Sequence, residues 1–227
     1  MQRIFLGIPT YDNTVHTSCM MGVLNASKTR VMQVACNGSS LLPHGFNILW
    51  AMGNGSKSDY FAMCHADIGP DAGWLDTLID ELEATEADVL SAIVPIKSGE
   101  NVYSTSLCHR GCESHYRLHV NDLAKLPETF GTKELQEVSG EDGELCVNTG
   151  LWVCRLGQVW NKQVQFQMHT SIVWDEEGKA YCSIIPEDWD FSQQLHALGL
   201  KVMATRKVRV MHSGCTTWQS YPEALNG

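Results

Sequence analysis

Short apolar runs alternate with longer amphipathic stretches along the first part of the chain. Arg3–Pro9, Val31–Cys36, Tyr60–His65 and Asp88–Pro95 read as four strands, each short and apolar enough for a buried parallel sheet. Between the first two, Thr14–Lys28 carries Val15, Cys19, Met20, Val23 and Leu24 at helical spacing, with Asp12 or Asn13 placed to cap the helix. Leu41–Met52 gives a second helix. After the Gly69–Gly73 turn, Trp74, Leu75, Leu78, Ile79 and Leu82 recur with the period of an amphipathic third. Strands alternating with helices predict an α/β fold with right-handed crossovers, a mixed, mostly parallel sheet and helices on both faces. Ligands of such sheets lie beyond the carboxyl ends of the strands.

The pattern then loosens. Lys97–Val138 shows no sustained period beyond a strand near Val102–Leu107, and is expected to face an acceptor or a partner. Val147–Arg155 reads as a strand. Val164–Trp174 and Ala180–Ile184 form a hairpin around the turn Asp175–Gly178. Pro186 opens a helix that turns Trp189, Phe191, Leu195 and Leu198 to the core and stops at Gly199. Leu200–Ala204 and Val208–Met211 complete the set as short strands.

Composition narrows the possibilities. At 227 residues, 44% hydrophobic and 19% charged, the chain matches one ordinary globular domain. A net charge of -10 with no dense basic block disfavours nucleic acid and anionic lipid as partners. Arg206, Lys207 and Arg209 read as a solvated strand edge. No apolar stretch approaches the roughly 20 residues of a membrane span, and the N-terminus reads as a strand rather than an export signal, which predicts a cytoplasmic protein. The nine cysteines sit mostly alone in apolar segments, as reduced core thiols do, and an odd number argues against a disulfide framework. Cys108, Cys112, His115 and His119 have the residue types of a zinc site, but the gap between the pairs is too short for a finger. A polar surface excursion is the preferred reading.

Two clusters carry candidate chemistry. The apolar strand Tyr60–Ile68 delivers Asp67 to its end, and His65, two residues earlier, points to the same side of an extended chain. An oxygen ligand there suits Mg²⁺ or Mn²⁺ bridging phosphates. A turn-starting aspartate is the plainer alternative. Glu187, Asp188 and Asp190 lie in the first turn of the last long helix, where the helix dipole favours negative charge even without catalysis. Further on, a strand ends in His212-Ser213-Gly214.

The ordered set Ile8-Pro9-Thr10-Tyr11, His65-Ala66-Asp67, Glu187-Asp188 and His212-Ser213-Gly214, running from Ile4 to Gly214, resembles family 2 glycosyltransferases and their GT-A relatives. The resemblance implies a single GT-A domain over residues 1–227, with a nucleotide-binding half at 1–95 and an acceptor half at 96–227. It implies a nucleotide site at Pro9, Thr10, Tyr11, Asp12, Asn37, Gly38, Asn47, His65 and Ala66. Phe46 stands where the family has an arginine before Asn47, and His65 stands for the first acid of its D-x-D motif. Asp67 and His212 would hold Mn²⁺ or Mg²⁺. Asn148, Thr149, Gly150 and Trp189 would line the sugar, and Asp188, beside Glu187, would be the base.

The implied activity is metal-dependent, inverting transfer of a sugar from a UDP- or GDP-sugar donor to a hydroxyl acceptor. A cation between phosphate oxygens stabilises the charge that builds on the leaving diphosphate. Two other classes remain open. A nucleotidyltransferase would show a Gly-rich basic loop after its first strand, which Tyr11-Asp12-Asn13-Thr14 is not. A non-catalytic nucleotide-sugar-binding protein of the same fold fits the two departures from the family pattern.

Overall fold

The computed structural model describes residues 1–98 and 101–214, and the backbone of 217–219. In chain order the elements are β1 (Arg3–Thr10), α1 (Thr17–Leu24), β2 (Val31–Gly38), α2 (Leu42–Gly55), β3 (Tyr60–Cys64), β4 (Ile68–Pro70), α3 (Trp74–Ala84) and β5 (Val89–Ala92). Next come β6 (Val102–Cys108), β7 (Ser114–His119), α4 (Val120–Leu123), β8 (Thr129–Phe130), α5 (Thr132–Ser139), β9 (Glu144–Cys146) and β10 (Leu151–Arg155). The chain continues through β11 (His169–Trp174), β12 (Ala180–Ile185), α6 (Glu187–Ala197), β13 (Val202–Thr205), β14 (Val210–Ser213) and β15 (Thr217–Gln219).

The fold is mixed α/β, built on a seven-stranded sheet of order β2-β1-β3-β10-β5-β13-β8. β2, β1 and β3 pair in parallel, as do β5 and β13, while β10 enters antiparallel between β3 and β5. The period-two alternation of β1 sorts its side chains between the two layers of core. Ile4, Leu6 and Ile8 join Leu75, Leu78 and Ile79 of α3 and Cys19 and Val23 of α1 on one face. Phe5 joins Phe46 and Trp50 of α2 and Phe191 and Leu195 of α6 on the other. Gly53 allows α2 to lie close to this face: a Cβ there would meet the Phe61 ring at 2.5 Å.

Several expectations need correction. β2 is the sheet's edge, with Val31 and Val34 exposed, and not a buried strand. The α1 N-cap is His16, whose side chain accepts from Ser18 N–H; Asp12 instead accepts from Thr14 in the turn ahead of it. The 97–138 stretch holds β6, β7, α4, β8 and α5. Leu198 is exposed at the end of α6, where Gly199 takes φ of 72° as a left-handed terminator. Arg206 and Lys207 lie in the turn between β13 and β14 rather than along a strand, and Lys207 pairs with Glu81 at 2.5 Å.

The cysteines also depart from the reading as free thiols. Cys108 at the end of β6 and Cys146 at the end of β9 form a buried disulfide, which removes one ground for expecting a reducing compartment. Cys215 lies outside the described residues. The proposed zinc quartet does not assemble, because Cys108 is spent in that bond and His119 caps α4 by accepting from Asn121 N–H. Among the described residues, no helix is long and apolar enough to cross a membrane.

Candidate functional site

β4 and β14 pair antiparallel, with His212 opposite Ile68, and this small ladder brings the two distant motifs side by side. The turn carrying Asp67 is held by backbone bonds on three sides: His65 N–H to Gly150 O at 2.8 Å, His16 N–H to Ala66 O at 2.8 Å, and Ser213 N–H to Asp67 O at 2.8 Å. Asp67 Oδ2 then lies 3.6 Å from His212 Nε2 and takes an ion pair from Lys97.

A cleft of about 630 Å³ opens at this point, beyond the carboxyl ends of β1 and β3. Pro9, Thr10, Tyr11 and Asp12 form one wall, His65, Ala66 and Asp67 another, with Lys97 and Ser213 closing it. Tyr11 is 77% exposed, so its ring face is open to a planar ligand. A second cleft of about 370 Å³ is lined by Lys97, Arg117, Asn148, Glu187, Asp188, Trp189 and His212. Lys97 lines both clefts, and His212 faces Asp67 from the second. Lys97 thus stands between a cleft bordered by Asp67 and one bordered by His212 and Asp188.

Charge is distributed unevenly across it. Burial would raise the Asp67 carboxyl, but the His212 and Lys97 contacts outweigh that and hold it well below the usual carboxylate range. Burial pushes His65 down to about 4, so the imidazole is neutral near pH 7; its ring packs on Phe46 at 4.8 Å and its Nε2 has no partner. In the second cleft, burial and the neighbouring Glu187 push Asp188 up to about 7, against the opposing pull of Arg117. Glu187 is also raised, by burial. The Arg117 guanidinium sits 5.1 Å over the Trp189 ring, whose indole is 7% exposed.

Some expected site residues do other work. Asn47 is a clamp: its amide donates to Phe166 O at 2.8 Å and accepts from Phe166 N–H at 2.9 Å, and it lines neither cleft. Asn37 and Gly38 also lie outside the lining. A Cβ at Gly38 would fall 2.1 Å from Asn13 Oδ1, so that glycine serves the packing of the β1 loop. Asn148 reaches the second cleft, whereas Thr149 is 1% exposed. Gly150 packs against Asn148 and Ile68, each within 2.5 Å of where its Cβ would be. Among the other tryptophans, Trp152 is fully buried, Trp174 is exposed on β11, and the side chain of Trp218 lies outside the described residues. Asp190 is tied to His169 at 2.9 Å.

Sequence reasoning passed over Lys97 and Arg117. Lys97 lies five residues beyond the end of β5, on the same carboxyl side of the sheet that singles out Asp67. Arg117 alternates with Tyr116 and Leu118 in β7, a pattern that was legible but short.

No known protein family and no curated protein matches the chain in sequence. Among solved structures, the fold is similar to that of A197 from STIV, with a TM-score of 0.54 over 94% of this chain and 86% of that one. The two share 13% identity, so the likeness is one of fold alone.

Proposed function

We propose that the protein is a GT-A-type glycosyltransferase that moves a sugar from a UDP- or GDP-sugar to a hydroxyl acceptor with inversion. The observation that carries this reading is the position of His212, which faces Asp67 at the mouth of one cleft and borders Asp188 in the next. The first cleft, with Tyr11 at its rim, suits a nucleoside diphosphate; the second suits the sugar and the acceptor.

Asp67 and His212 fit a divalent cation. The Pro95 carbonyl at 2.7 Å can only accept, so His212 Nδ1 carries a proton and Nε2 is the ring nitrogen left to face an ion beside Asp67. Such an ion supplies positive charge against the diphosphate. In the transfer, the acceptor oxygen bonds to the anomeric carbon as the bond to the phosphate oxygen breaks and its electron pair leaves with the diphosphate. Asp188 takes the hydroxyl proton, a role suited to a carboxyl poised near neutrality. Arg117 and Trp189, which line the same cleft as Asp188, orient the sugar, and Lys97 faces the leaving phosphates.

A second reading follows from Lys97. Its ammonium already neutralises Asp67, so the same site could work with lysine supplying the charge in place of a metal. Isothermal titration with UDP, GDP and their sugars, with and without Mn²⁺, tests both, followed by a hydrolysis screen of the sugars that bind. Failure of every nucleoside diphosphate sugar to bind under either condition would sink the proposal.

A further inference from the structure

The β6–β7 hairpin carries a second cluster that the transfer reaction does not use. His109 follows the disulfide cysteine of β6, His115 lies in β7, and Asp142 lies in the loop between α5 and β9. The two imidazoles stack at 4.5 Å between ring centroids, inclined by 11°, and both turn towards Asp142. His109 Nε2 lies 3.2 Å and His115 Nε2 4.0 Å from Asp142 Oδ1. One ligand atom from each of the three residues falls within 4.8 Å of the others.

The cluster is held from several sides. The Cys108–Cys146 disulfide ties the end of β6, just before the hairpin turn, to β9. Gly143, at φ of 104°, lets the loop pass so close to His115 that a Cβ would meet the ring at 2.9 Å. Gln136 in α5 fixes that loop by donating to Gly143 O at 2.7 Å. Gln193 in α6 grips the hairpin tip, accepting from Gly111 N–H at 2.8 Å and donating to Cys112 O at 3.2 Å.

We infer that His109, His115 and Asp142 form a surface site for a borderline transition-metal ion of the Zn²⁺ class, which clips the hairpin to the loop before β9. Two imidazoles with one carboxylate favour Zn²⁺ over the hard Mg²⁺, whose preferred donors are oxygens. Three protein ligands leave a further position to water. On binding, His115 Nε2 gives up its 2.9 Å contact with the Asp142 carbonyl, and its proton moves to Nδ1. The ion thereby joins the two segments that the disulfide joins, one residue from His109 and four from Asp142, and through Gln193 it stiffens the support of α6.

The test is titration of the full chain with zinc chloride, read by calorimetry and by histidine NMR. The expected result is a site that the parent and an Asp67→Asn variant share, with the His109 and His115 ring signals shifting together. His109→Ala and Asp142→Ala, both at exposed side chains, should each weaken zinc binding more than about tenfold while leaving the melting temperature in chelator unchanged. Magnesium should give no such response. Parent-like zinc affinity in both variants, or zinc binding that disappears in Asp67→Asn alone, would overturn the assignment.

Discussion

His212 donates through Nδ1 to the carbonyl of Pro95 at 2.7 Å, and this bond turns Nε2 towards Asp67. The pair is thus oriented from behind, as metal-binding histidines generally are. His212→Ala should weaken Mn²⁺ binding by more than about tenfold while leaving the affinity for free nucleotide within a factor of a few. Calorimetry with metal and nucleotide titrated separately measures both, and an unchanged metal isotherm removes His212 from the site.

Lys97 already occupies the carboxylate oxygen of Asp67 that the proposed cation would take. Lys97→Met should therefore raise the affinity for Mn²⁺ and lower the binding of nucleoside diphosphate without metal. If lysine is the resident charge, the variant instead loses donor binding at every Mn²⁺ concentration. Donor titrations across a manganese series separate the two outcomes.

The central architecture was legible because β1 and β3 are short continuous apolar runs buried on both faces, and α3 buries residues at a period of 3.6. Pairing direction was not. Leu151–Arg155 reads as an apolar strand in either orientation, and its antiparallel insertion between β3 and β5 depends on neighbours far away in sequence. The edge position of β2 is equally a tertiary fact. Elements such as β8 and α4, two and four residues long, carry too few positions to show a period. Within the candidate site, strand-end logic singled out Asp67 and His212, which the β4–β14 ladder sets 3.6 Å apart, since each follows or lies in a short strand. It misassigned Asn47, whose amide spans to Phe166, 119 residues away. The bond between Cys108 and Cys146 was hidden for the same reason.

Asn47 offers a control that separates support from binding. Asn47→Ala strands the N–H and carbonyl of Phe166, so the variant should lose about 1–3 kcal/mol of stability. Its affinity for nucleotide should stay at the parent value once measured below its own melting temperature. Chemical denaturation gives the first quantity and calorimetry the second; a stable variant with lost nucleotide binding would return Asn47 to the site.

Asp188→Asn should keep donor binding and lose about 10²–10⁴-fold in transfer, the usual contribution of a positioned base. The parent's rate should climb with pH through about 7 as the carboxyl ionises. Stability should move the opposite way. The folded-state value lies above the unfolded one near 3.9, so between those pH values the native state binds more protons than the unfolded chain. The stabilisation this gives is complete below about pH 4 and is lost as pH rises through about 7. Asparagine cannot ionise, so the variant should match the parent near pH 4 and exceed it by about 1–4 kcal/mol at pH 8. Denaturation curves at the two pH values check this, and a parent with equal stability at both would mean that Asp188 is not held in a charge-excluding pocket.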